Sequence, residues 1–314
     1  MLQRTPKILL IIFLLLSAYR SLAVPKQDVL DQIKLSYNPK ISATAEDVTK
    51  SLDLCKKTLV TITGQDPILY QTRAIQVKLY VNKLTLDSSE QKTIILLPPT
   101  GGENVIDRGY ADLLCAKNFR VALIQNWPNE IQSELDLTMH DRGALRALTA
   151  IRHTIEFLAP KRTTQIGIMG TSVGAISAAL AFNYEPRLAA AVLIVGGGGM
   201  AEIISASTEK TLTRLRELRI NEFGFKTQDE YREALAKTLR YDPLDFIGMT
   251  GVKPVWTMIA TKDLTVPTKN QYDLHVAHGD QTVKTRNANH FDTIVYTFAT
   301  QGSEISAFFH KHLN

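Results

Sequence analysis

The stretch 165–184 constrains the chain more than any other. A short apolar run, 165–169 (QIGIM), meets Gly170-Thr171-Ser172-Val173-Gly174, and a series of small residues then runs to Tyr184. A brief apolar run bounded by glycine reads as a buried strand, and the longer small-residue segment as a closely packed helix. Gly-x-Ser-x-Gly between a strand and a helix makes a sharp elbow. The turn drives its middle residue into strained dihedrals, and a Cβ on either glycine would collide with the neighbouring strand or helix. Ser172 is then displayed at the C-terminal edge of a sheet, with a helix N-terminus behind its hydroxyl to stabilise negative charge.

The rest of the chain repeats the alternation. Residues 24–60 read as a helical lead-in and 75–81 (IQVKLYV) as a half-buried strand. The continuous apolar run 93–97 (TIILL) ends at Pro98-Pro99, as a central, doubly covered parallel strand would. A helix over 106–116 and a strand over 120–125 (RVALIQ) follow. Asp141 stands where it can cap a helix that runs to Leu158, with Leu145, Leu148, Ile151, Ile155 and Leu158 at three- and four-residue steps. Beyond the elbow come a strand at 190–195, a glycine run at 196–199, a helical segment at 200–247 placed as a lid, a strand at 255–260, a helix from Thr268, a strand near 282–285 and a terminal helix over 291–310. This order predicts one α/β domain over 24–314, with a mostly parallel sheet and helices on both faces. The glycine run has no Lys-Ser or Lys-Thr after it, so it is not a phosphate-binding loop.

The first 23 residues are set apart. Arg4 and Lys7 precede the apolar run 8–16 (ILLIIFLLL), and Ser21-Leu22-Ala23 places small residues where a signal peptidase reads them. Arg20 interrupts the run well short of the roughly 20 apolar residues a membrane span needs. The expectation is a signal peptide over 1–23, cleavage after Ala23, and an exported protein, periplasmic or secreted, with no stable membrane insertion. Without Arg4, Lys7 and Arg20 the 36 Lys and Arg fall to 33 against 31 Asp and Glu, a net charge of +2. A near-neutral chain offers no footprint for nucleic acid. Export permits a disulfide between the two cysteines, Cys55 and Cys115. The tendency of unpaired cysteine to be buried favours two free thiols.

A serine hydroxyl needs a base at neutral pH, and histidine is the usual one. Of seven histidines, His153 falls on the polar side of its helix, and His310 and His312 lie in the tail. His275 and His278 are spaced like a metal pair but lack an evident third ligand, so no metal is expected. His140 precedes a helix, where a contact with a site is feasible. His290, in Asn287-Ala288-Asn289-His290 between the last strand and the last helix, is the candidate base. Asp263, just after strand 255–260 and three residues ahead of Val266-Pro267, is the candidate acid that would orient the imidazole. Asp242 and Asp245 are rival acids placed before that strand, and Asp292 reads as a helix-start residue. The loop Pro98-Pro99-Thr100-Gly101-Gly102 can turn a backbone N–H toward the serine. With the Val173 N–H it would form an oxyanion hole drawn from Thr100 or Gly101. Lys210, Arg214, Arg216 and Arg219 would make a solvated face on the lid.

On these residues the chain resembles the α/β-hydrolases. Gly170-Thr171-Ser172-Val173-Gly174, Asp263 with Val266-Pro267, and His290 follow that family's Ser, Asp, His order. The Asp-x-x-Val-Pro detail is similar to the dienelactone-hydrolase and prolyl-oligopeptidase-like branch. The oxyanion loop departs from the common His-Gly pattern with Pro99-Thr100-Gly101, and Asn289 stands where Gly commonly precedes the histidine. The resemblance implies the α/β-hydrolase fold with an eight-stranded sheet, no cofactor, and a serine acyl-enzyme mechanism on a small-molecule ester, peptide or thioester. The same three groups would serve an acyltransferase, and the fold alone would serve a ligand-binding protein.

Overall fold

A computed structural model of the protein describes residues 26–85, 92–126, 133–158, 166–279 and 281–313; the expected signal peptide lies outside the described residues. The sheet among them has nine strands: β1 (Ser42–Asp47), β2 (Cys55–Gln65), β3 (Thr72–Asn82), β4 (Thr93–Leu97), β5 (Arg120–Asn126), β6 (Ile166–Thr171), β7 (Leu188–Ile194), β8 (Val255–Ala260) and β9 (Thr282–Arg286). Their spatial order is β1-β2-β3-β5-β4-β6-β7-β8-β9. The β1–β2, β2–β3 and β3–β5 pairs are antiparallel, and every pair from β5 across to β9 is parallel.

The parallel strands are buried on both sides, as their continuous apolar runs predict. All residues of β4, β6 and β8 are buried. Successive residues feed opposite layers because side chains alternate across a strand. Ile95 and Leu97 pack with α3 (Met139–Leu158) and α4 (Val173–Tyr184). Ile94 and Leu96 pack with α2 (Val105–Ala116) and α9 (His290–His312). Between β7 and β8 the chain leaves the sheet as α5 (Met200–Ala206), α6 (Lys210–Phe223) and α7 (Gln228–Thr238), followed by a 3-10 turn at Pro243–Phe246. The helix α8 (Thr268–Ala277) connects β8 to β9.

The N-terminal third departs from the helical lead-in that composition suggests. Only α1 (Gln27–Ser36) is helical, and β1 and β2 follow it, which brings the sheet to nine strands rather than eight. The polar sequence of β1 hid it. SATAED has no apolar alternation because β1 is an edge strand with all six residues exposed. Cys55 at the start of β2 and Cys115 at the end of α2 form a disulfide, in place of the expected free thiols. The packing of α2 over β2 brings them together, and the Lys57–Asp112 ion pair at 2.9 Å spans the same contact. His153 is buried rather than solvated, with its Nε2 3.1 Å from Asn38 O. The helix α3 begins at Met139, so Asp141 lies inside its first turn. There its carboxylate accepts the backbone N–H groups of Arg240 and Tyr241 instead of capping.

Candidate active site

The β6–α4 elbow sets Ser172 at φ 56° and ψ −122°, outside the regions an L-residue prefers. What holds it there is backbone crowding. A Cβ on Gly170 would stand 2.2 Å from Gly174 O, and one on Gly174 would stand 2.4 Å from Pro98 O and 2.5 Å from Leu97 O. Both glycines are therefore fixed by close approach, the first to the start of α4 and the second to the end of β4. The Ser172 N–H donates to Ile194 O on the next strand at 2.9 Å, which ties the elbow to β7.

His290 and Asp263 come to the same edge from two other crossings. His290 opens α9, whose N-cap Asn289 accepts the Asp292 N–H. The imidazole Nε2 lies 2.9 Å from Ser172 Oγ and Nδ1 lies 2.6 Å from Asp263 Oδ2. The Asp263 side chain is fully buried, and burying a carboxylate is tolerated only where donors surround it. Oδ1 accepts the backbone N–H groups of Thr265 at 2.8 Å and Val266 at 3.1 Å. Oδ2 accepts the Gln271 Nε2 amide at 2.8 Å beside the imidazole contact. Gln271 is fully buried and fully engaged, since its Nε2 also donates to Val266 O and its Oε1 accepts the Ala260 N–H. Sequence reasoning missed this residue. Its signal was faint: a glutamine on the α8 face that packs against β8, two turns after Asp263.

Of the rival acids, Asp242 is committed to other partners. Asp242 accepts the N–H groups of Gly199, Met200 and Leu244, and so anchors the start of α5 and its own turn. Burial and the neighbouring Asp242 raise the pKa of Asp245 to about 6. His275 and His278 are both buried, and His278 faces Leu274 O and the Asn183 amide. Among the described residues no group of three His, Cys, Asp or Glu is placed to hold a metal ion. No helix among them is long and apolar enough to cross a membrane.

In the loop after β4, the Gly102 N–H donates to Pro99 O and the Glu103 N–H to Gln125 O, so these two are committed. Gly101 has φ +93°, a conformation glycine adopts without strain. Thr100 faces the cleft together with Ser172 and Val173. The helix α4 begins at Val173, whose N–H is among the first four that have no partner within a helix.

The cleft continues as a cavity of about 190 Å³ beneath α5 and α6. His140, which the sequence placed before a helix, is in the first turn of α3 and lines this cavity. Burial pushes its pKa down to about 4, with Arg219 adding to the effect, so its imidazole is neutral at pH 7. Of the cations expected on a solvated face, Lys210 and Arg214 are exposed and Arg216 is half-buried, but Arg219 is not solvated. Arg219 is fully buried and donates to Glu134 O, Asp136 O and Tyr231 Oη. Arg214 pairs with Glu134, and Arg216 donates to the carbonyls of Ser205 and Ser207.

Comparison with known proteins follows the sheet. No family model matches the sequence, and no curated protein is similar to it. Solved structures are similar. An acetyl xylan esterase from a Paenibacillus species superposes with a TM-score of 0.64 at 14% identity, over 90% of this chain and 93% of that one. An esterase from Pyrococcus furiosus gives 0.56 at 13% identity, over 85% and 97% of the two chains. Acetyl xylan esterase 1 from a Thermoanaerobacterium species gives 0.58 at 12% identity, over 89% and 95%. The chain has the α/β-hydrolase fold, with a ninth strand at the antiparallel edge.

Proposed function

We propose that the protein is an exported serine hydrolase that cleaves carboxylic esters through an acyl-enzyme. The observation that carries this reading is the unbroken contact from Asp263 Oδ2 to His290 Nδ1 and from His290 Nε2 to Ser172 Oγ. Ser172 Oγ attacks the ester carbonyl while His290 Nε2 takes its proton, and Asp263 holds the imidazole tautomer and stabilises its charged form. The tetrahedral oxyanion is met by the Val173 N–H and by an N–H of Thr100 or Gly101, since the N–H groups of Gly102 and Glu103 are committed to Pro99 O and Gln125 O. Each such donor is typically worth about 2.7–4 kcal/mol in the transition state. His290 returns its proton to the leaving oxygen, then activates water to release the acid.

The export part of the reading rests on the n-region, apolar core and small residues of 1–23. The mature chain then acts as one domain, with 200–247 covering the site. Esterase neighbours support the ester class by their fold. Purified mature protein should hydrolyse short activated esters, and Ser172→Ala should abolish turnover while circular dichroism and melting temperature stay close to wild type. Retained turnover in that variant would reject the nucleophile.

A further inference from the structure

The cavity beside Ser172 carries a further inference about the substrate, which rests on the serine-hydrolase reading. Its wall is mostly apolar, with Ile176 and Leu180 of α4, Met200, Ile203 and Ile204 of α5, and Leu215 of α6. Its lining takes in Ser172, Val173 and Thr100 but, among the described residues, not His290.

This asymmetry decides which part of an ester enters. A carbonyl carbon attacked by Ser172 Oγ carries three other groups: the oxyanion, the leaving oxygen and the acyl chain. The oxyanion points to the Val173 N–H. The leaving oxygen must face His290 Nε2 to receive its proton. The acyl chain is the group left for the cavity. The space of about 190 Å³ beside the serine is more than an acetyl group fills. Among the described residues the charged side chain in the lining is Glu209, whose carboxylate accepts the Leu212 N–H, so a carboxylate on the acyl chain would share the cavity with a like charge. Arg214, Arg216 and Arg219 are already engaged by Glu134, by carbonyls and by Tyr231, and do not offset it.

We propose that the protein selects esters of uncharged aliphatic acids with chains longer than acetyl, seating the acyl group in this cavity and releasing the alcohol on the His290 side. An acetyl group leaves most of the space unfilled, so an acetylated sugar is a poor fit. Each methylene that leaves water for such a wall contributes about 0.8 kcal/mol, or about fourfold in kcat/KM.

A series of p-nitrophenyl esters from acetate to dodecanoate, with a constant leaving group, tests the assignment. The expected kcat/KM rises at least tenfold from acetate to hexanoate and falls beyond decanoate. A hemisuccinate ester should be at least tenfold poorer than the butyrate. Met200→Trp, at a half-buried wall position, should lower the hexanoate-to-acetate ratio at least tenfold. Ile204→Ala should move the optimum to longer chains. A flat profile, an acetate optimum or an unmoved ratio in both variants would overturn the acyl assignment while hydrolysis and Ser172 labelling by a fluorophosphonate leave the hydrolase reading standing. No hydrolysis and no labelling would bring down both.

Discussion

Strands β4, β6, β7 and β8 run parallel with both faces covered, whereas β1, β2 and β3 run antiparallel and leave part of their surface to solvent. The reactive side chains all follow parallel strands, His290 included, since β9 pairs parallel with β8 although its own residues are exposed. Ser172 follows β6, Asp263 follows β8, His290 follows the β9 edge, and the Thr100 loop follows β4. Loops at the C-terminal ends of parallel strands converge, because each crossover helix returns the chain to start the next strand at the opposite edge. The antiparallel side is held differently, by the Cys55–Cys115 disulfide and the Lys57–Asp112 ion pair. The comparison teaches that one part of the sheet positions chemistry and the other part carries stability, and substitutions on the two sides should separate those roles.

The largest effect belongs to Asp263, after Ser172 itself. Asp263→Asn should lower kcat by about 10⁴ if the residue behaves as a triad acid, with little change in melting temperature. Asp242→Asn, which loses an anchor of α5 instead, should leave kcat within about tenfold. The reverse ranking in steady-state kinetics would misplace the acid. A smaller loss is expected at Gln271. Gln271→Ala leaves Asp263 Oδ2 with one donor fewer and should reduce kcat by about tenfold, with KM held within about twofold. Because Gln271 acts through Asp263, adding Gln271→Ala to Asp263→Asn should cost much less than tenfold further. A full additive loss would show that the amide only supports the fold.

On the antiparallel side the sign is reversed, with stability moving and activity standing still. Reducing the disulfide, or replacing Cys115 by Ser, should cost about 2–4 kcal/mol in denaturant unfolding. The specific activity of the folded protein should stay within about twofold. A loss of activity larger than the loss of folded fraction would break the division between the two sides.

A pH dependence is expected at Asp107 in α2. Burial raises its pKa to about 7, against the donation it receives from the Asn104 N–H. Below the ordinary value of 3.8 the carboxyl is protonated in both folded and unfolded chains. Between about 4 and 7 only the unfolded chain ionises, so stability falls as pH rises through that window and the penalty is complete above it. Asp107→Asn should flatten this part of the stability profile and raise the melting temperature at pH 8. An unchanged slope between pH 4 and 7 would contradict the buried, protonated assignment.

The parallel core and the site were legible in the sequence because both depend on local patterns. TIILL and VWTMIA are unbroken apolar runs, and the glycines at 170 and 174 mark a turn whose crowding is local in sequence. Asp263 was readable from its place after a strand and ahead of Val266-Pro267, and Val266 turns out to donate its N–H to that carboxylate. What stayed hidden depends on distant partners. SATAED carries no period because an edge strand buries nothing. His153 sits at a polar-looking helix position yet is covered by residues 37 and 38 from the other end of the chain. The Cys55–Cys115 pairing is set by how α2 crosses β2, and the burial of Arg219 by the chain at 134–136 and Tyr231.

Intact-mass and peptide mapping of the mature protein after a fluorophosphonate treatment tests the central claim most directly, because only an activated serine reacts at neutral pH. The account predicts a single adduct on the peptide that contains Ser172, lost in Ser172→Ala and strongly slowed in Asp263→Asn. An adduct on another residue, or none on a folded wild-type chain, would contradict it.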